Sequence, residues 1–289
     1  MEKAILISKI CHLKYADTGY GRLYFGNEFC QRLLPSLSDL RRAVNFADQK
    51  CMGFSLVTPY VTNDGLLALK PLLKLLKHIK PQSEIVINDW GVLNFINREY
   101  PCFEPVLGRL LTKQKRCPTL VRLLKRTPSA TLIRNIDNQK KDYFVFQKNI
   151  PGALDAYYKG SNVSSVPIIH SFLLTRRIKR IEIDNLAHGL YLELPKEKIS
   201  ASVYFPYVYI TTTFFCPTAG CDKNKKSLLK YKLCDKTCQR YSFTLRHSSM
   251  PKLVFLKGNT QFYKNSKLFI RKFSKMGINR LVYEPEIPI

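Results

Sequence analysis

The stretch Glu84-Ile85-Val86-Ile87-Asn88-Asp89-Trp90-Gly91-Val92-Leu93-Asn94-Phe95-Ile96-Asn97 decides the fold. Residues 84–88 form a short β-branched apolar run, the pattern of a strand buried on both faces. Residues 89–97 have helical character, and Asn88 can cap that helix. The unit is strand, cap, helix. Working outward, the same unit recurs. Candidate strands are 4–7, 23–25, 53–58, 84–88, 104–107, 180–184, 202–213, 252–256 and 280–283. A helix over 36–46 opens with Ser36 and sets Leu37, Leu40 and Val44 on one face. A second, over 63–79, carries Leu66, Leu69, Leu73 and Leu76 at helical spacing, with Lys70, Lys74 and Lys77 opposite. Pro71 is expected to kink it and Pro81 to close it. Asn265 is expected to cap a helix carrying Leu268, Phe269 and Phe273, stopped by Gly277. Alternating strands and helices predict an α/β protein with a parallel sheet. About eight units predict a β/α barrel of TIM type, a single domain over 1–289. A doubly wound open sheet is the rival.

The 289 residues include 47 Lys and Arg against 21 Asp and Glu, a net charge of +26. That balance speaks to partners, not to fold. The hydrophobic fraction of 45% excludes a disordered tail or a fibre. The longest uncharged stretch, 199–221, is long enough to span a bilayer, but Pro206, Pro217 and Thr211, Thr212, Thr213 suit a strand and a loop instead. No secretory signal stands at the start, so a soluble, cytoplasmic protein without membrane insertion is expected. Residues 109–150 interrupt the pattern and read as a basic insertion. Lys113, Lys115, Arg116, Arg122, Lys125 and Arg126 fall there with no acid across 109–126, and a solvated basic face is the expected reading.

Of nine cysteines, Cys11, Cys30, Cys51, Cys102 and Cys117 are scattered. Cys216, Cys221, Cys234 and Cys238 cluster as C-x4-C-x12-C-x3-C, in a cysteine-rich loop over 214–240. Without a secretory signal such a cluster reads as metal or redox chemistry. Zinc sites favour tighter pairs. Looser spacings suit an iron–sulfur cluster, which is larger than one ion and takes ligands from several loops. Zinc remains the alternative, and plain packing cysteines a third reading. In a barrel, Cys30 after strand 23–25 and Cys216 after strand 202–213 would share the C-terminal face. That leaves five candidate thiols for four positions.

Four segments in order carry a resemblance. Tyr24-Phe25-Gly26-Asn27-Glu28-Phe29-Cys30 resembles a Tyr-Leu-Gly-Glu-x-x-Cys stretch of the UbiU/UbiV-like branch of the collagenase-like bacterial peptidase family. Asn88-Asp89-Trp90-Gly91-Val92-Leu93 resembles its Asp-Leu-Gly-Val-Val segment, Cys216 with Cys234-x3-Cys238 its cysteine spacing, and Leu253-Val254-Phe255-Leu256-Lys257-Gly258 a strand and turn that come after it. The likeness runs from about residue 21 to 283, with 109–150 a departure. It implies a barrel-like fold and a [4Fe–4S] cluster on Cys30, Cys216, Cys234 and Cys238. It implies a subunit in oxygen-independent hydroxylation, paired with a homologous barrel subunit as a heterodimer. Other relatives hydroxylate RNA bases, and some are described as peptidases. Cys221 has no counterpart there, so the fourth ligand is Cys30 by resemblance or Cys221 by proximity.

Polar groups at strand ends are candidate substrate contacts: Asn88, Asp89, Asp184, Asn185, Lys257 and Asn259, with Glu284 also placed there. Asn88 and Asp89 could equally be helix caps. An RNA-binding protein with a structural cluster or zinc is the second functional reading. Residues 222–289 hold sixteen Lys and Arg against four acids, interleaved with Tyr231, Tyr241, Phe243 and Tyr263. A peptidase is the third. No nucleophile elbow, Walker loop, zinc-hydrolase motif or dinucleotide fingerprint is present.

Overall fold

The structure, a computed structural model, describes residues 1–17, 19–124, 129–133, 143–147, 152–164, 166–195, 198–220, 234–248 and 250–289. In chain order the strands are β1 (Glu2–Ile7), β2 (Arg22–Gly26), β3 (Gly53–Val57), β4 (Glu84–Ile87), β5 (Glu104–Leu107), β6 (Ser129–Ile133), β7 (Tyr143–Gln147), β8 (Arg180–Asp184), β9 (Ser200–Phe205), β10 (Tyr207–Thr212), β11 (Phe243–Leu245), β12 (Val254–Lys257), β13 (Thr260–Lys264) and β14 (Ile278–Tyr283). The helices are α1 (Leu37–Gln49), α2 (Asn63–Ile79), α3 (Trp90–Glu99), α4 (Leu120–Leu123), α5 (Gly152–Lys159), α6 (Pro167–Thr175) and α7 (Ile270–Phe273).

Eight strands close a parallel barrel in the order β1-β14-β9-β8-β5-β4-β3-β2. The open sheet is thereby excluded. Strand alternation splits each strand between two cores. Ile5, Ile7, Leu23, Phe25, Ile85 and Ile87 face outward, against Leu40, Val44, Leu69, Leu73, Val92 and Ile96 of α1, α2 and α3. Ala4, Leu6, Tyr24, Val86, Tyr204 and Val282 fill the interior. Ser36 caps α1 by accepting from Asp39 N, and α2 runs continuously through Pro71.

Two excursions leave the barrel. The first, between β5 and β8, contains the β6–β7 hairpin and α4 to α6. The barrel seam is thinnest there, with Leu107↔Ile181 as its paired position. The second, between β9 and β14, forms a four-stranded antiparallel sheet, β10-β13-β12-β11. Tyr209 and Phe262 of that sheet pack on Phe29 and Leu110, just beyond β2 and β5. The sheet therefore covers the C-terminal end of the barrel.

The structure corrects several sequence expectations. Strand 202–213 is two strands that part at Pro206, which has no N–H to continue a ladder. β10 leaves the barrel to pair with β13, so Cys216 follows the small sheet and not a barrel strand. Strand 252–256 also belongs to that sheet, as β12, so Lys257 to Asn259 lie at a hairpin turn. Asp89, not Asn88, caps α3, accepting from Gly91 N at 2.7 Å and Val92 N at 3.1 Å. Asn265 caps no helix: it is buried, its Nδ2 donates to Asn185 O at 2.9 Å, and the helix shrinks to α7.

Candidate functional site

The C-terminal mouth of a β/α barrel is where substrates usually bind. Here the chain fills it. Arg109, fully buried just after β5, donates to Asp184 Oδ1 at 2.9 Å, Glu284 Oε1 at 2.7 Å and the carboxylate of Glu28. Its guanidinium lies 3.9 Å from the centre of the Tyr204 ring. Arg116 holds the other oxygen of Asp184 at 2.5 Å and donates to Arg109 O at 2.7 Å. Burial alone would lower the Arg109 pKa, but Glu28, Glu284 and Asp184 outweigh it and keep the cation charged. Burial pushes the Glu284 carboxyl up to about 8 against the pull of Arg109. Deeper in the barrel, Glu182 accepts from Tyr24 at 3.0 Å and Ser202 at 3.3 Å. Burial raises it to about 7, with Arg280 and Arg180 opposing.

Beside this plug is a second site, built from thiols. β2 ends at Gly26, with φ 131°. A Cβ there would lie 2.3 Å from Val57 O, so the close approach of β2 and β3 needs glycine. The chain then turns on Asn27, whose Oδ1 accepts from Phe29 N at 3.0 Å and Cys30 N at 2.9 Å. Cys216 follows β10. Its loop is tied to the β12–β13 turn by Thr218 Oγ1, which donates to Gly258 O at 2.7 Å. Cys238 is buried in a short 3₁₀ turn, Thr237–Gln239. Gly258, at φ 60°, lies against it; a Cβ at that position would sit 3.5 Å from Cys238 Cβ and 3.2 Å from Ile289 Cγ2.

Cys30, Cys216, Cys234 and Cys238 line one cavity of about 220 Å³, with Tyr60, Phe214 and Asn259 among its other walls. Burial pushes the Cys216 thiol up to about 11, and raises Cys30 and Cys238 as well. The neighbouring cysteines add to the rise at Cys30 and Cys216. The Tyr60 and Phe214 rings meet edge to face at 4.4 Å over the cavity. Lys257 Nζ donates to Ile287 O at 3.1 Å. Burial, helped by the charge of Lys9, lowers its pKa to about 8.

The structure thus brings Cys30 to the three C-terminal cysteines from a distant segment, together with Asn259. Cys221 lies outside the described residues, as do residues 222–233 after it. Cys11 and Cys51 are exposed elsewhere, and neither Cys102 nor Cys117 lines the cavity. The remaining candidates are spread out. Asp184 belongs to the Arg109 plug. Asn88 is buried, donating to Thr58 O at 2.9 Å and accepting from Leu110 N at 3.1 Å. Asp89 is the α3 cap, and Asn185 donates to Asn265 O and Lys267 O. Sequence reasoning misses Glu28, Arg109, Arg116 and Tyr60. Arg116 reads as solvated surface in the sequence, yet it and Arg109 are buried.

Among the described residues, no helix is long and apolar enough to cross a membrane. No protein-family profile matches the chain, and no curated protein matches it. Among solved structures it is similar to that of a U32 peptidase, at 8% identity and a TM-score of 0.44, covering 99% of this chain and 93% of that one.

Proposed function

We propose that the cavity holds a [4Fe–4S] cluster on Cys30, Cys216, Cys234 and Cys238, and that the chain is an iron–sulfur subunit in oxygen-independent hydroxylation, paired with a homologous barrel subunit. One observation carries the first part: four cysteines from three separate segments line one cavity. Among the described residues no three His, Cys, Asp or Glu side chains gather closely enough for a single ion. Ligands drawn from several loops are what an iron–sulfur cluster accepts. The buried Asn27 Nδ2, on the side chain that holds Cys30 N, has no hydrogen-bond partner.

Such a cluster supplies one-electron transfer. The chain's part is to hold it and keep it dry. Tyr60 and Phe214 shield the cavity, while Phe214 is itself 68% exposed, which leaves an edge for an electron donor or partner. Lys257 stands near Cys238 and offsets anionic charge there, and Lys9 Nζ donates to the adjacent Gln239 O at 3.1 Å. The hydroxylation role and the partner rest on the sequence resemblance alone. The Arg109 plug supports placing the chemistry at the cavity and not in the barrel.

A cysteine series prepared without oxygen tests the reading. Cys216→Ser, Cys234→Ser and Cys238→Ser should each lose the brown chromophore, and Cys11→Ser, Cys51→Ser, Cys102→Ser and Cys117→Ser should keep it. Retention in the first three removes the proposal. A partner test runs beside it: anaerobic co-purification of a second barrel chain supports the heterodimer. A free monomer with tight, salt-sensitive RNA binding would favour the RNA-binding reading instead.

A further inference from the structure

Cys30 and Cys216 approach the same cavity from different sheets. Cys30 follows β2 of the barrel, and Cys216 follows β10 of the four-stranded sheet. Among the described residues no β-ladder joins β2 to β10. The distance between these two thiols therefore needs another fastening.

Asn259 provides it. It is buried at the β12–β13 turn. Its Nδ2 donates to Phe29 O at 2.6 Å, one residue before Cys30, and to Thr213 O at 2.7 Å, three residues before Cys216. The Tyr60 hydroxyl, 2.9 Å from the same nitrogen, donates to Thr213 O at 2.7 Å. The backbone closes the link, since Thr213 N donates to Asn259 O at 3.2 Å. Thr260 Oγ1 donates to Asn259 Oδ1 at 3.1 Å and fixes the orientation of the amide. From the far side, Asn27 Oδ1 accepts the two N–H groups of Phe29 and Cys30.

Both loops present carbonyl oxygens, so bridging them takes a side chain with at least two N–H donors. Leucine has the size but no donor. Serine has one short donor that cannot serve two loops. We infer that Asn259 is the positioning residue that sets the spacing of Cys30 and Cys216, an assignment that rests on those thiols sharing one bound group. Asn27 serves Cys30 alone, and Asn259 couples it to the Cys216 loop. Outer groups of this kind usually govern retention of a metal centre by roughly ten- to a hundredfold.

Asn259→Leu tests the assignment with two readouts. In the reduced, metal-free protein, iodoacetamide should modify Cys30 and Cys216 several-fold faster than in the parent, with Cys102 and Cys117 unchanged, by peptide mass spectrometry. In the anaerobically loaded protein, transfer of iron to a chelator should be about ten to a hundred times faster. The melting transition should stay cooperative. Should Asn259→Leu fail to fold, Asn259→Ser replaces it, with the same direction expected at both readouts. Thiol rates and iron retention equal to the parent would overturn the assignment and leave the cluster proposal standing. If the parent takes up no iron, the cluster proposal fails, and the thiol rates alone decide: faster modification upholds the role of Asn259, and equal modification overturns it.

Discussion

Replacing Arg109 by Met removes the guanidinium that Glu28, Asp184 and Glu284 share. Methionine fills much of the volume but supplies no charge. Arg109, Asp184 and Glu284 are inaccessible to solvent, and Glu28 is almost so. Water cannot take over the lost hydrogen bonds. Breaking a buried ion pair by removing one partner costs about 3–5 kcal/mol. Domains of this size lose about 2–4 °C of Tm per kcal/mol, so the transition should fall by on the order of 10 °C. Urea titration at neutral pH, followed by circular dichroism, measures the loss directly. The cost should shrink when a stranded carboxylate is neutralised, so Arg109→Met with Glu28→Gln should be more stable than Arg109→Met alone. This non-additivity is the signature of a shared network. A loss below about 1 kcal/mol, typical of exposed pairs, would refute the account of a buried plug. So would strict additivity with Glu28→Gln.

Glu182 gives a pH test. Its folded pKa is raised to about 7 from an ordinary value of 4.5. The folded state then holds a proton that the unfolded state has released, so its stabilising effect is complete below about pH 4.5 and fades as pH rises through about 7. Glu182→Gln, which mimics the protonated form, should gain roughly 2–3 kcal/mol relative to the parent at about pH 8 and little at about pH 5; equal differences at both would contradict the assignment. Asp89→Ala removes the α3 cap and should cost about 1 kcal/mol in urea titration, whereas loss of far more would mean a role beyond capping. For the fourth thiol, Cys30→Ser should release the iron and Cys221→Ser should retain most of it, as read by iron content after anaerobic preparation; the reverse would place the site wholly within 216–238.

The barrel is legible because its strands are short, buried β-branched runs. Eight of the nine expected runs coincide with the barrel strands, once 202–213 is cut at Pro206. The ninth, at 252–256, has the same composition but pairs antiparallel in another sheet, and composition does not encode the partner. β11 is hidden because Thr244 and Leu245 lie exposed, without an alternating pattern. Three of the four cavity thiols, Cys216, Cys234 and Cys238, are legible from residue type and spacing. That Cys30 reaches the others needs the fold. Asp184 and Glu284 are legible as strand-end polar groups, but the plug they form is not: Arg109 meets Asp184, Glu28 and Glu284 across 75, 81 and 175 residues of chain. Nothing local in a basic run separates a buried arginine from a solvated one. Asn259 stands out in the sequence only for its place at a strand end, while its work as a bridge depends on Phe29 and Thr213 arriving from elsewhere.

The central claim is that one multi-iron group sits among Cys30, Cys216, Cys234 and Cys238. Quantifying iron, zinc and acid-labile sulfide on the same anaerobically purified sample tests it most directly. The account predicts about four irons and about four sulfides per chain, with zinc absent. One zinc per chain, with neither iron nor sulfide, would contradict it.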